Sequence, residues 1–93
     1  MDKVEAKEIA ERDLEFYRAL SYKEFAAKIG EQENFERVTE QGEPYRIEFD
    51  FMFDDDEQKT VRVMGIVSYS GWTDFFPVSN DFIIAPNGEF IGE

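Results

Sequence analysis

Neither cysteine nor histidine occurs anywhere in this chain. Without thiols there can be no disulfide, no thiolate nucleophile, no Cys-containing zinc site and no iron–sulfur cluster. Without imidazole the chain lacks the commonest general base, the commonest protein metal ligand and the one side chain that ordinarily changes charge near neutral pH. Serine–histidine catalysis is therefore excluded, and neither metal nor cofactor is expected. Cations are scarce as well: ten Lys and Arg stand against 22 Asp and Glu, a net charge of −12, and none follows Arg62. Direct nucleic-acid binding is disfavoured, since neutralising phosphates takes clustered Lys and Arg. No apolar run approaches the roughly 18 residues of a membrane span. The charged opening from Met1 to Glu8 is unlike a signal peptide, so a cytoplasmic protein with no membrane partner is expected.

What remains is enough to fold. Apolar residues make up 42% of the 93 positions and aromatics 16%, with ten Phe, well above the content of a disordered acidic segment. A chain of this length holds one core, so residues 1–93 are read as a single domain.

From Asp2 to Leu20 the strong helix formers Glu, Ala, Lys, Arg and Leu dominate and Gly, Pro and Asn are absent. On a helical wheel Ala6, Ile9, Ala10, Leu14, Phe16, Tyr17 and Leu20 share one arc, which should face a sheet. Ser21-Tyr22-Lys23-Glu24 has the pattern of a capping box, so a second, short helix starts there with Tyr22, Phe25, Ala26 and Ile29 inward. Gly30 is placed to end it in the left-handed conformation. Residues 31–43 are polar apart from Phe35 and Val38 and suit a short strand or a packed loop equally.

Tyr45, Ile47, Phe49, Phe51 and Phe53 then alternate with Arg46, Glu48, Asp50 and Met52, the period of a half-buried strand. Asp54 to Gln58 reads as a turn. Val61, Val63, Val67 and Tyr69 continue as an antiparallel partner in which Met64 and Ile66 make the second face apolar too, as in a central strand, and Gly65 suggests a bulge. A third stretch from Phe75 to Ala85 is broken by Pro77 and Asn80. Pro86-Asn87-Gly88 is a turn that would return Phe90 and Ile91 as a short strand. The architecture is thus α+β: two N-terminal helices, long then short, on one face of a three- to four-stranded antiparallel meander.

This order, with the helix start Leu20-Ser21-Tyr22-Lys23-Glu24-Phe25, resembles the cystatin-like or nuclear-transport-factor-2-like superfamily. The resemblance implies a curled sheet and a conical pocket between the first helix and the sheet, whose polar groups here would be Asp13, Tyr17, Tyr45 and Tyr69. Such a pocket would make the chain a small-ligand or enzymatic domain.

Three features bear on function more directly. Asp13 falls in the middle of the apolar arc, either as a pocket acid, or where the helix overhangs the sheet, or as a carboxylate satisfied by Arg46 or a tyrosine hydroxyl. Asp54 to Glu57 concentrates four carboxylates, but without the alternate ligands, Gly and distal Glu of a calcium loop, so it reads as a solvated turn. Trp72, Phe75 and Phe76 crowd a loop beside Pro77, either closing the core or anchoring a protein partner or a second copy. The acidity also admits mimicry of a nucleic-acid backbone, for which Glu48, Asp50 and the 54–57 turn supply a short row. A non-enzymatic protein-interaction domain, using the aromatic loop or the acidic face, is the leading expectation.

Overall fold

Asp2 caps the first helix: its carboxylate accepts from the Glu5 backbone N–H at 2.8 Å, and α1 runs Lys3–Tyr17. In this computed structural model, which describes residues 1–69 and 77–92, Ser21 caps α2 (Tyr22–Ala27) in the same way, accepting from Glu24 N–H at 3.2 Å. An N-cap of this kind satisfies one of the otherwise unpaired donors at a helix start. Gly30 takes φ +84°, a conformation only glycine adopts without cost, and turns the chain out of α2.

Five strands follow in chain order, β1 (Gln32–Val38), β2 (Pro44–Phe53), β3 (Val61–Tyr69), β4 (Val78–Ile84) and β5 (Phe90–Ile91), each antiparallel to its neighbours in one sheet ordered β1 to β5. The expected meander is present, and residues 32–38, which the sequence left open, form its first edge strand. Pro77 directly precedes β4, outside the ladder, where a residue without N–H is tolerated. The turn at Pro86–Gly88 joins β4 to β5 through Ala85 and Glu89.

Both described helices lie on one face. Tyr45, Ile47, Phe49 and Phe51 of β2, Val61, Val63 and Val67 of β3, and Phe82 and Ile84 of β4 turn toward them and form the core with Ala6, Ile9, Ala10, Leu14, Tyr17 and Phe25. Phe25 meets Phe82 edge-on at 5.7 Å, which seats the short α2 on β4. Gly65 is not a bulge: the β2–β3 register runs unbroken through Phe49 opposite Gly65, as does β3–β4 through Asn80. Its role is close approach. A β-carbon there would lie 3.3 Å from both Leu14 Cγ and Phe49 Cε1.

Phe16 departs from the helical-wheel expectation. It is 74% exposed, while its neighbour Tyr17 is buried. The helix meets the sheet along Ala6, Ile9, Ala10, Leu14 and Tyr17, a narrower stripe than the arc drawn from sequence, and Phe16 lies beyond its border.

Candidate functional site

The opposite face of the sheet is covered by no described helix. Strand alternation places on it Arg46, Glu48, Asp50 and Met52 from β2, Arg62, Met64, Ile66 and Ser68 from β3, Ser79, Asp81 and Ile83 from β4, and Ile91 from β5. The register turns these into rows: Met52, Arg62, Ile83 and Ile91 in one, Asp50, Met64 and Asp81 in the next, Glu48, Ile66 and Ser79 in the third. Aliphatic side chains therefore sit between carboxylates across the centre of the face. Met52 and Ile91 are exposed, and the central residues are half-buried.

The cations of this face are committed to neighbours. Arg62 donates to Asp54 at 2.6 Å and to Asp81, linking the turn after β2 to β4. Arg46 donates to Glu36 at 3.0 Å. Glu48 and Asp50, two residues apart on the same side of one strand, are left beside each other. Partial burial, then a hydrogen bond and the negative charge of Asp50, holds the Glu48 carboxyl above its ordinary range, while Arg46 pulls only weakly the other way. Asp50 Oδ1 is buried, and among the described residues it finds a donor in Glu48 alone, and only while that carboxyl is protonated. The pair is an unfinished electrostatic arrangement.

A pH-dependent prediction follows from it. Because the Glu48 carboxyl is raised in the folded state, wild type carries no penalty below the unfolded carboxylate range near pH 4 and acquires one as pH rises through the folded value. Glu48→Gln removes the like charge and supplies an amide donor to Asp50. The variant should melt higher than wild type at pH 7 and equal to it below about pH 4. Equal midpoints at both pH values, or a lower one at pH 7, would show that the two carboxylates do not interact.

Of the residues singled out from sequence, Asp13 and Tyr17 come together on the helical side. They line a cleft with Arg12, Phe16, Phe35, Arg37 and Phe49 at the β1 edge, about 350 Å³ in volume. Asp13 has a side chain 12% exposed, with Arg12 Nε 3.4 Å from Oδ1 and Oδ2 buried without a donor among the described residues. Neither Arg46 nor a tyrosine hydroxyl reaches it. Tyr17 instead donates to Glu33 at 2.5 Å, and Glu33 accepts from Lys28 Nζ at 2.7 Å. Burial, reinforced by Glu33, pushes the Tyr17 phenol well up, so it stays protonated; Lys28 and Tyr17 together hold the Glu33 carboxyl low. This three-residue link ties α1, the segment after α2 and β1 together, and sequence reading missed it because Glu33 lies in the segment it left open.

Tyr45 and Tyr69 face each other across β2 and β3 and line a different depression, with Arg46, Glu48, Ile66 and Ser68. The four polar groups suggested for one pocket thus fall into two pairs in two depressions. Trp72, Phe75 and Phe76 lie outside the described residues. No group of acidic side chains suited to a metal ion occurs among the described residues, and no described helix is long and apolar enough to cross a membrane. No family model, curated protein or solved structure matches this chain.

Proposed function

We propose that this chain is a non-enzymatic protein-interaction domain and that the helix-free face of its sheet receives the partner. The observation that carries the reading is the make-up of that face: Met52, Met64, Ile66, Ile83 and Ile91 form an aliphatic band interrupted by Glu48, Asp50 and Asp81. An antiparallel sheet that needs only one covered face normally makes its second face polar throughout. Aliphatic side chains retained there, with charges at their border, match the anatomy of a recognition surface. The absence of histidine and cysteine, and a core in which Leu14 packs straight onto Gly65 and Phe49, favour binding over chemistry.

Affinity capture from the cells of origin tests it with three baits: wild type, Ile66→Ser/Ile83→Ser, and Glu8→Ser on the exposed side of α1. The sheet-face variant should lose the proteins that wild type and the helix variant both retain, with circular dichroism confirming that all three fold. Identical captures by all three would remove the sheet face from consideration.

A further inference from the structure

We infer that the partner segment seated on this face is amphipathic and cationic, setting a Lys or Arg side chain against the Glu48 and Asp50 carboxylates and aliphatic side chains against Met64, Ile66 and Ile83. The inference rests on the interaction reading above and adds the chemistry of the partner.

Charge complementarity carries it. Arg46 is engaged by Glu36, and Arg62 by Asp54 and Asp81, so the face has used its own described cations elsewhere. Glu48 and Asp50 remain side by side, and the buried Asp50 Oδ1 loses its neighbouring donor once Glu48 ionises. A buried acceptor without a donor costs free energy until something supplies one. An incoming ammonium or guanidinium supplies several and relieves the like-charge contact at the same time.

The neighbouring rows set the rest of the partner's chemistry. Ile66 stands opposite Glu48 and Met64 opposite Asp50 on the adjacent strand, about 5 Å away. A cationic head at the carboxylate pair therefore has its own alkyl stem, or an adjacent Leu or Ile, against those two side chains. Methionine suits such a surface because its unbranched thioether repacks around different shapes. A second copy of the chain is the poorer occupant: face-to-face stacking would bring Glu48, Asp50 and Asp81 against carboxylates of a molecule that also carries −12. Polyanions are repelled for the same reason.

The test uses three synthetic probes on the intact chain at 0.15 M salt: a 14-residue Leu/Lys peptide patterned as an amphipathic helix, its Leu/Glu counterpart, and an oligolysine of equal charge. Isothermal titration should show the Leu/Lys peptide binding wild type. Binding should fall at least tenfold for Glu48→Gln/Asp50→Asn and again for Ile66→Ser/Ile83→Ser, and the Leu/Glu peptide should not bind. Thermal melts establish that each variant is folded; should the serine variant fail that check, the charge-neutralised pair alone decides. Oligolysine binding as tightly as Leu/Lys, or a charge-neutralised variant that binds unchanged, overturns the inference by reducing it to general attraction toward an acidic protein. If sedimentation instead finds a dimer that Ile66→Ser/Ile83→Ser dissolves, a second copy is the occupant and the inference fails while the interaction reading stands. Loss of neither peptide nor cellular partner on altering this face ends both.

Discussion

Phe49→Ala should cost the domain about 3–5 kcal/mol, the range for truncating a fully buried aromatic. The ring is 1% exposed. Its centroid lies 4.4 Å from that of Tyr17 and 6.2 Å from that of Phe35, and its edge closes the space over Gly65. Removing it opens a cavity at the junction of α1, β1, β2 and β3, with no neighbour of matching volume free to move in. Small domains have only about 5–15 kcal/mol in total, so the loss is a large share of what holds the fold. The thermal midpoint should drop by at least ~12 °C, given about 4 °C or more per kcal/mol at this size. Phe16→Ala, one residue from Tyr17 but 74% exposed, should move it hardly at all. A Phe49→Ala loss under ~1 kcal/mol would mean that the centre of the core lies elsewhere.

That contrast between two phenylalanines shows where sequence reading succeeds and where it stops. Phe49 was legible because strand alternation is binary: a residue faces either the helices or the opposite side, and its neighbours at Ile47 and Phe51 fix which. Phe16 was not, because a helical wheel grades continuously and gives no sharp border to the buried stripe. The border is set by how the helix lies on β3 and β4, a tertiary fact. The Ser21 cap was readable for the opposite reason, since a cap depends on a few consecutive residues and the backbone they start.

β1 was silent because it is an edge strand. Its outward residues Gln32, Asn34 and Glu36 need no burial, the inward Glu33 is held by Tyr17 and Lys28, and Arg37 lies over the Phe35 ring; backbone pairing with β2 makes the strand, and pairing leaves no hydrophobic period to read. The helix-free face was half-legible in the same sense. Glu48 and Asp50 pointing away from the core follows from alternation alone, and Met64 and Ile66 were visibly out of place on an otherwise solvated side. Which aliphatic residue stands next to which carboxylate depends on the β2–β3 and β3–β4 registers, and Arg62 being engaged by Asp54 and Asp81 depends on both. Those are relations between segments, and no local pattern contains them.

Gly65→Val should destabilise the domain by about 1–3 kcal/mol, through crowding rather than through backbone strain. Gly65 has an ordinary strand conformation, so valine is acceptable to the backbone and favoured by strand propensity. The obstacle is the helix. A β-carbon alone would come within 3.3 Å of Leu14 Cγ and Phe49 Cε1, and the two methyls of valine extend further into the same space. Because Leu14 is itself 2% exposed and pinned by α1, it cannot swing aside without lifting the helix from β3. Leu14→Ala alone should cost about 2–5 kcal/mol by leaving a void at this contact. Combined, the two changes exchange volume across one interface: the valine methyls enter the space the leucine vacates. The double variant should therefore be more stable than the sum of the single losses predicts, with a coupling of the ~0.5–3 kcal/mol found between touching residues. Urea denaturation of the four proteins in the cycle measures it. Strict additivity would mean that α1 does not rest on Gly65, and the direct helix-on-sheet contact that closes this core would have to be abandoned.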